Sequence, residues 1–119
     1  MAAQVLADKL PAYAPAADYA AILQVLTDAG VDTTDVHSAL VAHSSENIYY
    51  HTDHHWTSLG AYYAYCAWRG IEPNADAWTQ EVLCDHFYGT TWNKVPLPTV
   101  PAEEITAWYR HANRHVSYN

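Results

Sequence analysis

Residues 49–70 read YYHTDHHWTSLGAYYAYCAWRG. The segment places three histidines and an aspartate within five positions, frames them with tyrosine and tryptophan, and then becomes almost wholly apolar. Thr57 can cap a helix over SLGAYYAYCAWR, and Gly70 stands where a left-handed residue would close it. Leu59, Tyr62, Tyr63 and Cys66 share one side of that helix, and Ala61, Ala64, Tyr65 and Trp68 share another. With so little polar face, the helix is expected to be buried on most sides. Gly60 weakens helix propensity, so its presence predicts close approach to a neighbouring backbone.

Upstream, ENIYYHTD (46–53) is rich in strand-forming residues. Its alternation sets Ile48 and Tyr50 against Tyr49, His51 and Asp53, so a strand here would deliver Asp53 at its tip. Tyr19, Ile22, Leu23 and Leu26 recur at helical spacing within 16–29, ahead of Gly30. VDTTDVH (31–37) reads as a short strand, and SALVAHSS as a short helix or turn capped by Ser38. EPNADAW suits another short helix, and EVLCDHFYG (81–89) a strand. NKVPLPTVP (93–101) is too proline-rich to be other than extended, and AEEITAWYRHA (102–112) predicts a final helix with acids early and bases late. This alternation predicts a single α/β domain over 1–119.

Composition narrows the partners. The 119 residues carry thirteen acids against five bases, a formal net charge of −8, which repels nucleic acid and anionic membrane surfaces. Eight histidines make that charge sensitive to the range in which imidazole titrates. No run approaches the roughly 20 apolar residues of a membrane span, and the N-terminus has no basic-then-apolar export pattern. Cys66 and Cys84 lack zinc-ligand spacing and read as thiols, with a disulfide the alternative in an oxidising compartment.

In a strand-to-helix turn, Asp53 and His55 are close enough for the carboxylate to orient the imidazole through one ring nitrogen, leaving the other as a base. That pairing is what deprotonation of a hydroxyl nucleophile requires. A metal reading uses His51, Asp53 and His55, which converge on one side if the extended conformation continues through His55. The cap at Thr57 argues against that continuation. His37, His43, His86, His111 and His115 are scattered, and Trp56 is expected to pack beneath the turn. Ser44 and Ser45 lack the glycine-flanked elbow of an activated nucleophile.

The signature and its flanks resemble the DHHW family of bacterial proteins. There a Y-Y-R-T-D-H-H-W-T stretch precedes G-A-Y-Y-A-Y, LADKLPAYAPAADY resembles the segment before it, and FYGTTWNK resembles a later G-T-x-Y-S-K. That family in turn resembles SGNH-like hydrolases and alginate-type O-acetyltransferases with a D-x-H-W signature. The resemblance implies a partial flavodoxin-like, three-layer α/β fold, truncated at both ends. It also implies an esterase or O-acetyltransferase of envelope polysaccharide, with Asp53 and His55 as acid and base of a Ser-His-Asp triad.

His51 replaces the family's arginine and Asn93 its serine, and the resemblance gives His54 no role. The nucleophile serine lies in a K-D-S-type segment beyond Asn119, so the chain reads as an internal fragment, inactive alone. No cofactor is implied. The expected substrate of the parent is an acetylated polysaccharide, its expected location extracellular or in the bacterial envelope, and a homo-oligomer is expected from uncovered edges. The alternatives are a non-catalytic, self-associating domain and a small protein binding metal through His51, Asp53 and His55.

Overall fold

Three helices begin at a side chain that accepts a hydrogen bond from the helix's own first turn: Asp18 from Ala21 N (3.0 Å), Asp35 from Ser38 N (3.1 Å) and Thr57 from Gly60 N (3.2 Å). The computed structural model describes Val5 and residues 18–110. Among these, the elements in order are α1 (Tyr19–Asp28), α2 (Val36–Ala42), α3 (Ser58–Arg69), a 3-10 turn (Ala75–Ala77), β1 (Thr79–Phe87), α4 (Thr90–Lys94) and β2 (Glu103–Tyr109). β1 and β2 form a two-stranded antiparallel sheet.

The core gathers on α3. Leu40 of α2, Ile48 and Tyr49 of the following loop, Val5, and Tyr62, Tyr63 and Cys66 of α3 form one buried cluster, with Trp78 and Trp108 packed against it. Gly70 closes α3 at φ 63° in the left-handed region, as its position predicted. The helix is less enclosed than expected: on its second side Ala64 is buried but Tyr65 and Trp68 are exposed. α2 and β2 pack against it.

Gly60 is needed for packing. A Cβ there would stand 2.2 Å from the Ile48 carbonyl oxygen and 3.0 Å from Trp56 Cβ. The start of α3 therefore lies directly on the backbone that leads into the histidine-rich turn.

Several expectations need correction. Residues 31–37 form no strand, because Asp35 rather than Ser38 caps α2 and draws Val36 and His37 into the helix. The β-prone run 46–53 is not a strand either. It makes one isolated bridge, Tyr49 to Trp56, as the chain doubles back through Tyr50 N to His55 O (3.2 Å) and Thr57 N to Ile48 O (2.9 Å).

Residues 93 and 94, the first two of the proline-rich region, belong to α4 instead, and 103–109 form β2 where a helix was expected. The helical spacing of Ile105, Trp108 and Tyr109 loses to pairing with β1, to which the β-branched and aromatic residues of ITAWY are also suited. Residues 111 and 112 of that predicted helix, and 16 and 17 of the first, lie outside the described residues, as do His111 and His115. Both cysteines are free thiols.

Gly60→Ala gains about 1 kcal/mol of helix propensity but forces a backbone clash of the kind that costs about 1–3 kcal/mol or more. The clash should win, lowering the urea midpoint; an unchanged or raised midpoint would show that α3 is free to move off Ile48.

Candidate active site

Among the described residues no strand pairs with the turn at 51–55, and a largely enclosed carboxylate satisfies its backbone instead. Glu103, at the start of β2, accepts from His51 N (2.8 Å) at Oε1, and from Thr52 N (2.8 Å) and the Thr52 hydroxyl (2.5 Å) at Oε2. The same Thr52 hydroxyl accepts from Gly89 N (3.1 Å), and the Thr52 carbonyl accepts from Trp92 N (3.0 Å). Thr52 is thereby buried with its polar groups paired, as a polar residue inside a fold must be.

One residue on, Asp53 gathers the opposite flank. Its Oδ2 accepts from Thr90 N (2.8 Å) and the Thr90 hydroxyl (3.0 Å) at the start of α4. Its Oδ1 accepts from His55 N (2.8 Å) and from His55 Nδ1 in a short contact. Burial alone would raise the pKa of this carboxyl. The hydrogen bonds from Thr90 and His55 together outweigh burial and hold it well below the ordinary carboxylate range. Gly89 makes the arrangement possible, because a Cβ there would stand 2.2 Å from Asp53 Cβ and 2.5 Å from Oδ2.

The structure thus brings Asp53 and His55 into contact. With the ionised carboxylate on Nδ1, the neutral imidazole carries its proton there and keeps the Nε2 lone pair. The carboxylate is almost fully enclosed, whereas the His55 side chain is 66% exposed. A base oriented by a buried anion and open to solvent can accept a proton from a hydroxyl brought to it.

His51 goes elsewhere. Its backbone is held by Glu103, its ring is 77% exposed, and its Nδ1 lies 4.0 Å from Glu103 Oε1. The grouping of Asp53 with two imidazoles takes in His54 instead, because the chain turns at Thr52 and the alternation that would align 51, 53 and 55 is lost. His54 Nδ1 is 3.1 Å from Thr90 Oγ1, and its ring centroid lies 4.0 Å from that of His55. The motif marked His54 without indicating its contacts, and Thr90 is too far along the chain for spacing to expose.

Trp56 is 41% exposed rather than packed beneath the turn. A hollow of about 430 Å³ beside the turn is lined by residues including Tyr50, His51, Glu103 and Trp108. A smaller one of about 150 Å³ lies by Thr52, Trp92 and Leu97. His55 lines neither of these two hollows.

Comparison with known proteins agrees with this geometry at the level of fold and family. A family model described as the SGNH hydrolase-like domain of the acetyltransferase AlgX matches residues 1–68, which include the turn and nearly all of α3. The O-acetyltransferase domain of Pseudomonas putida AlgJ superimposes with a TM-score of 0.61 at 22% identity, over 90% of this chain and 45% of that one. The likeness is one of fold, a partial SGNH-like α/β architecture, and the chain spans less than half the length of that neighbour. No curated protein matches.

Asp53 binds its proton less readily folded than unfolded, so the unfolded state takes up more protons as pH falls. The stability it contributes is present above the ordinary value of 3.8 and is lost as pH falls through the lower folded value. In urea unfolding from pH 7 downward, wild type should exceed Asp53→Asn at neutral pH, and the gap should close below about pH 4. A constant gap would contradict the hydrogen-bonded carboxylate. Gly89→Ala should displace the carboxylate and lower the unfolding midpoint, a change visible also in the His55 ring resonances.

Proposed function

Because this chain belongs to the family of SGNH hydrolase-like domains represented by the acetyltransferase AlgX, we propose that it forms the base-bearing part of a polysaccharide O-acetyltransferase. His55 is the general base and Asp53 the residue that orients it. The observation that carries this reading is the double hold of Asp53 Oδ1 on His55, through both its backbone N–H and its ring Nδ1. Such a hold sets ring orientation and tautomer together.

In this reading Nε2 takes the proton of a serine hydroxyl as its oxygen attacks an acetyl ester carbonyl. The imidazolium, stabilised by the Asp53 anion, returns that proton to the departing alkoxide. A sugar hydroxyl then gives its proton to His55 as its oxygen attacks the acyl-serine, and the imidazolium returns that proton to the departing serine oxygen, so His55 acts as base and then as acid in each half-reaction. Ser38 donates to Asp35 Oδ2 (2.6 Å) and Ser58 to the Thr106 carbonyl, so both are engaged away from His55. The acyl-carrying serine is assigned to chain outside residues 18–110, and the acceptor to bacterial envelope polysaccharide.

The test is turnover of a chromogenic acetyl ester by a polypeptide that joins this domain to the family's serine-bearing segment. Asp53→Asn should lower kcat by about 10⁴-fold and His55→Ala by about 10⁴–10⁶-fold while leaving the fold intact by circular dichroism. Equal turnover by wild type and His55→Ala would remove His55 from the reaction.

A further inference from the structure

Within the turn, the two imidazoles share one carboxylate. His55 reaches Asp53 directly, and His54 reaches it through the Thr90 hydroxyl, which donates to Asp53 Oδ2 and so accepts from His54 Nδ1. One donor atom from each of Asp53, His54 and His55 lies within 4.8 Å of the other two. The geometry points to a transition-metal site, suited to Zn²⁺, formed by Asp53 Oδ1 and the Nδ1 atoms of His54 and His55, whose filling removes His55 as a base.

Four features support the site. Imidazole nitrogen with carboxylate oxygen is a donor set that zinc favours, with a fourth position left for water. Thr90 secures Asp53 Oδ2 through its N–H and hydroxyl, so that Oδ1 faces the rings. Bonds of about 2.0–2.1 Å in a tetrahedron set neighbouring donor atoms about 3.3 Å apart. His54 Nδ1 stands 3.8 Å from Asp53 Oδ1, near that spacing. His55 Nδ1 is closer and must swing outward to admit the ion. Both histidine side chains are 66% exposed, so this movement requires no repacking.

The consequence lies in the protons. In the metal-free turn both rings carry hydrogen on Nδ1, and coordination needs that nitrogen's lone pair. Each neutral ring must therefore move its proton to Nε2, with no net gain or loss. The atom assigned as the base then becomes an N–H donor. This inhibitory effect rests on the proposed catalytic role, whereas the binding itself does not.

Zn²⁺ titration of this 119-residue chain by calorimetry, with ¹⁵N-resolved NMR of the imidazoles, tests the site. One ion should bind per chain, His54→Ala and His55→Ala should each weaken it by about tenfold or more, and His51→Ala should not. His55 should change from an Nδ1–H to an Nε2–H tautomer on saturation. Weak binding spread over several histidines and indifferent to both variants, or an unchanged tautomer, would overturn the proposal. In the serine-bearing polypeptide, saturating Zn²⁺ should lower ester turnover at least tenfold; undiminished turnover would overturn the inhibition. A metal-free polypeptide with no His55-dependent turnover would refute the catalytic reading instead, with the calorimetry and tautomer still deciding the metal site.

Discussion

Two carboxylates hold the backbone of the turn at 51–55, and the rest of the site depends on them. Glu103 takes the N–H groups of His51 and Thr52, while Asp53 takes those of His55 and Thr90. The Thr52, His55 and Thr90 donors are partly buried, where an unpaired group costs up to about 1–3 kcal/mol, and among the described residues no strand pairs with the turn. Charge-assisted acceptors do so instead, and they are stronger than neutral ones.

The sheet delivers both flanks of this clamp. In the antiparallel register Phe87 faces Glu103, so the end of β1 and the start of β2 arrive at the turn together. Gly89 and Thr90 follow Phe87 after a single residue, Tyr88, and Tyr50 packs edge-on against the Phe87 ring, with centroids 5.1 Å apart. A slip in this register would withdraw Glu103 from Thr52 and Thr90 from Asp53 at once. On the other side α3 presses Gly60 against Ile48, so both ends of the turn are anchored in the core.

Charge and exposure are divided within the turn. The anion is buried and saturated with donors, and the two imidazoles project from it into solvent. The donors gathered on the carboxylate keep it ionised and fixed despite its burial, which lets an exposed ring stay oriented without losing access to what approaches it. Glu46 reverses this division: its carboxylate is 41% exposed, accepts from the Tyr63 hydroxyl (2.6 Å) and contacts Nδ1 of His43 (2.6 Å), the more enclosed partner. There, burial and the neighbouring carboxylate push the Tyr63 hydroxyl up to about 12.

Local chemistry was enough to read α3 with its cap and its closing glycine, the strand at β1, the close packing at Gly60 and the contact between Asp53 and His55. Each rests on residues a few positions apart, whose propensities and reach act before any folding partner arrives. The strand expected at 46–53 and the helix expected at 102–112 were misread because their residues are ambiguous alone and a distant partner decided them. β1 drew 103–109 into a sheet, and Glu103 replaced a ladder for 51 and 52. The company of His54, the roles of Gly89 and Thr90, and the exclusion of His51 from the Asp53 cluster likewise came from contacts dozens of residues apart. Such contacts exist only once the chain has closed on itself, because a carboxylate satisfies whichever donors folding brings within hydrogen-bond reach.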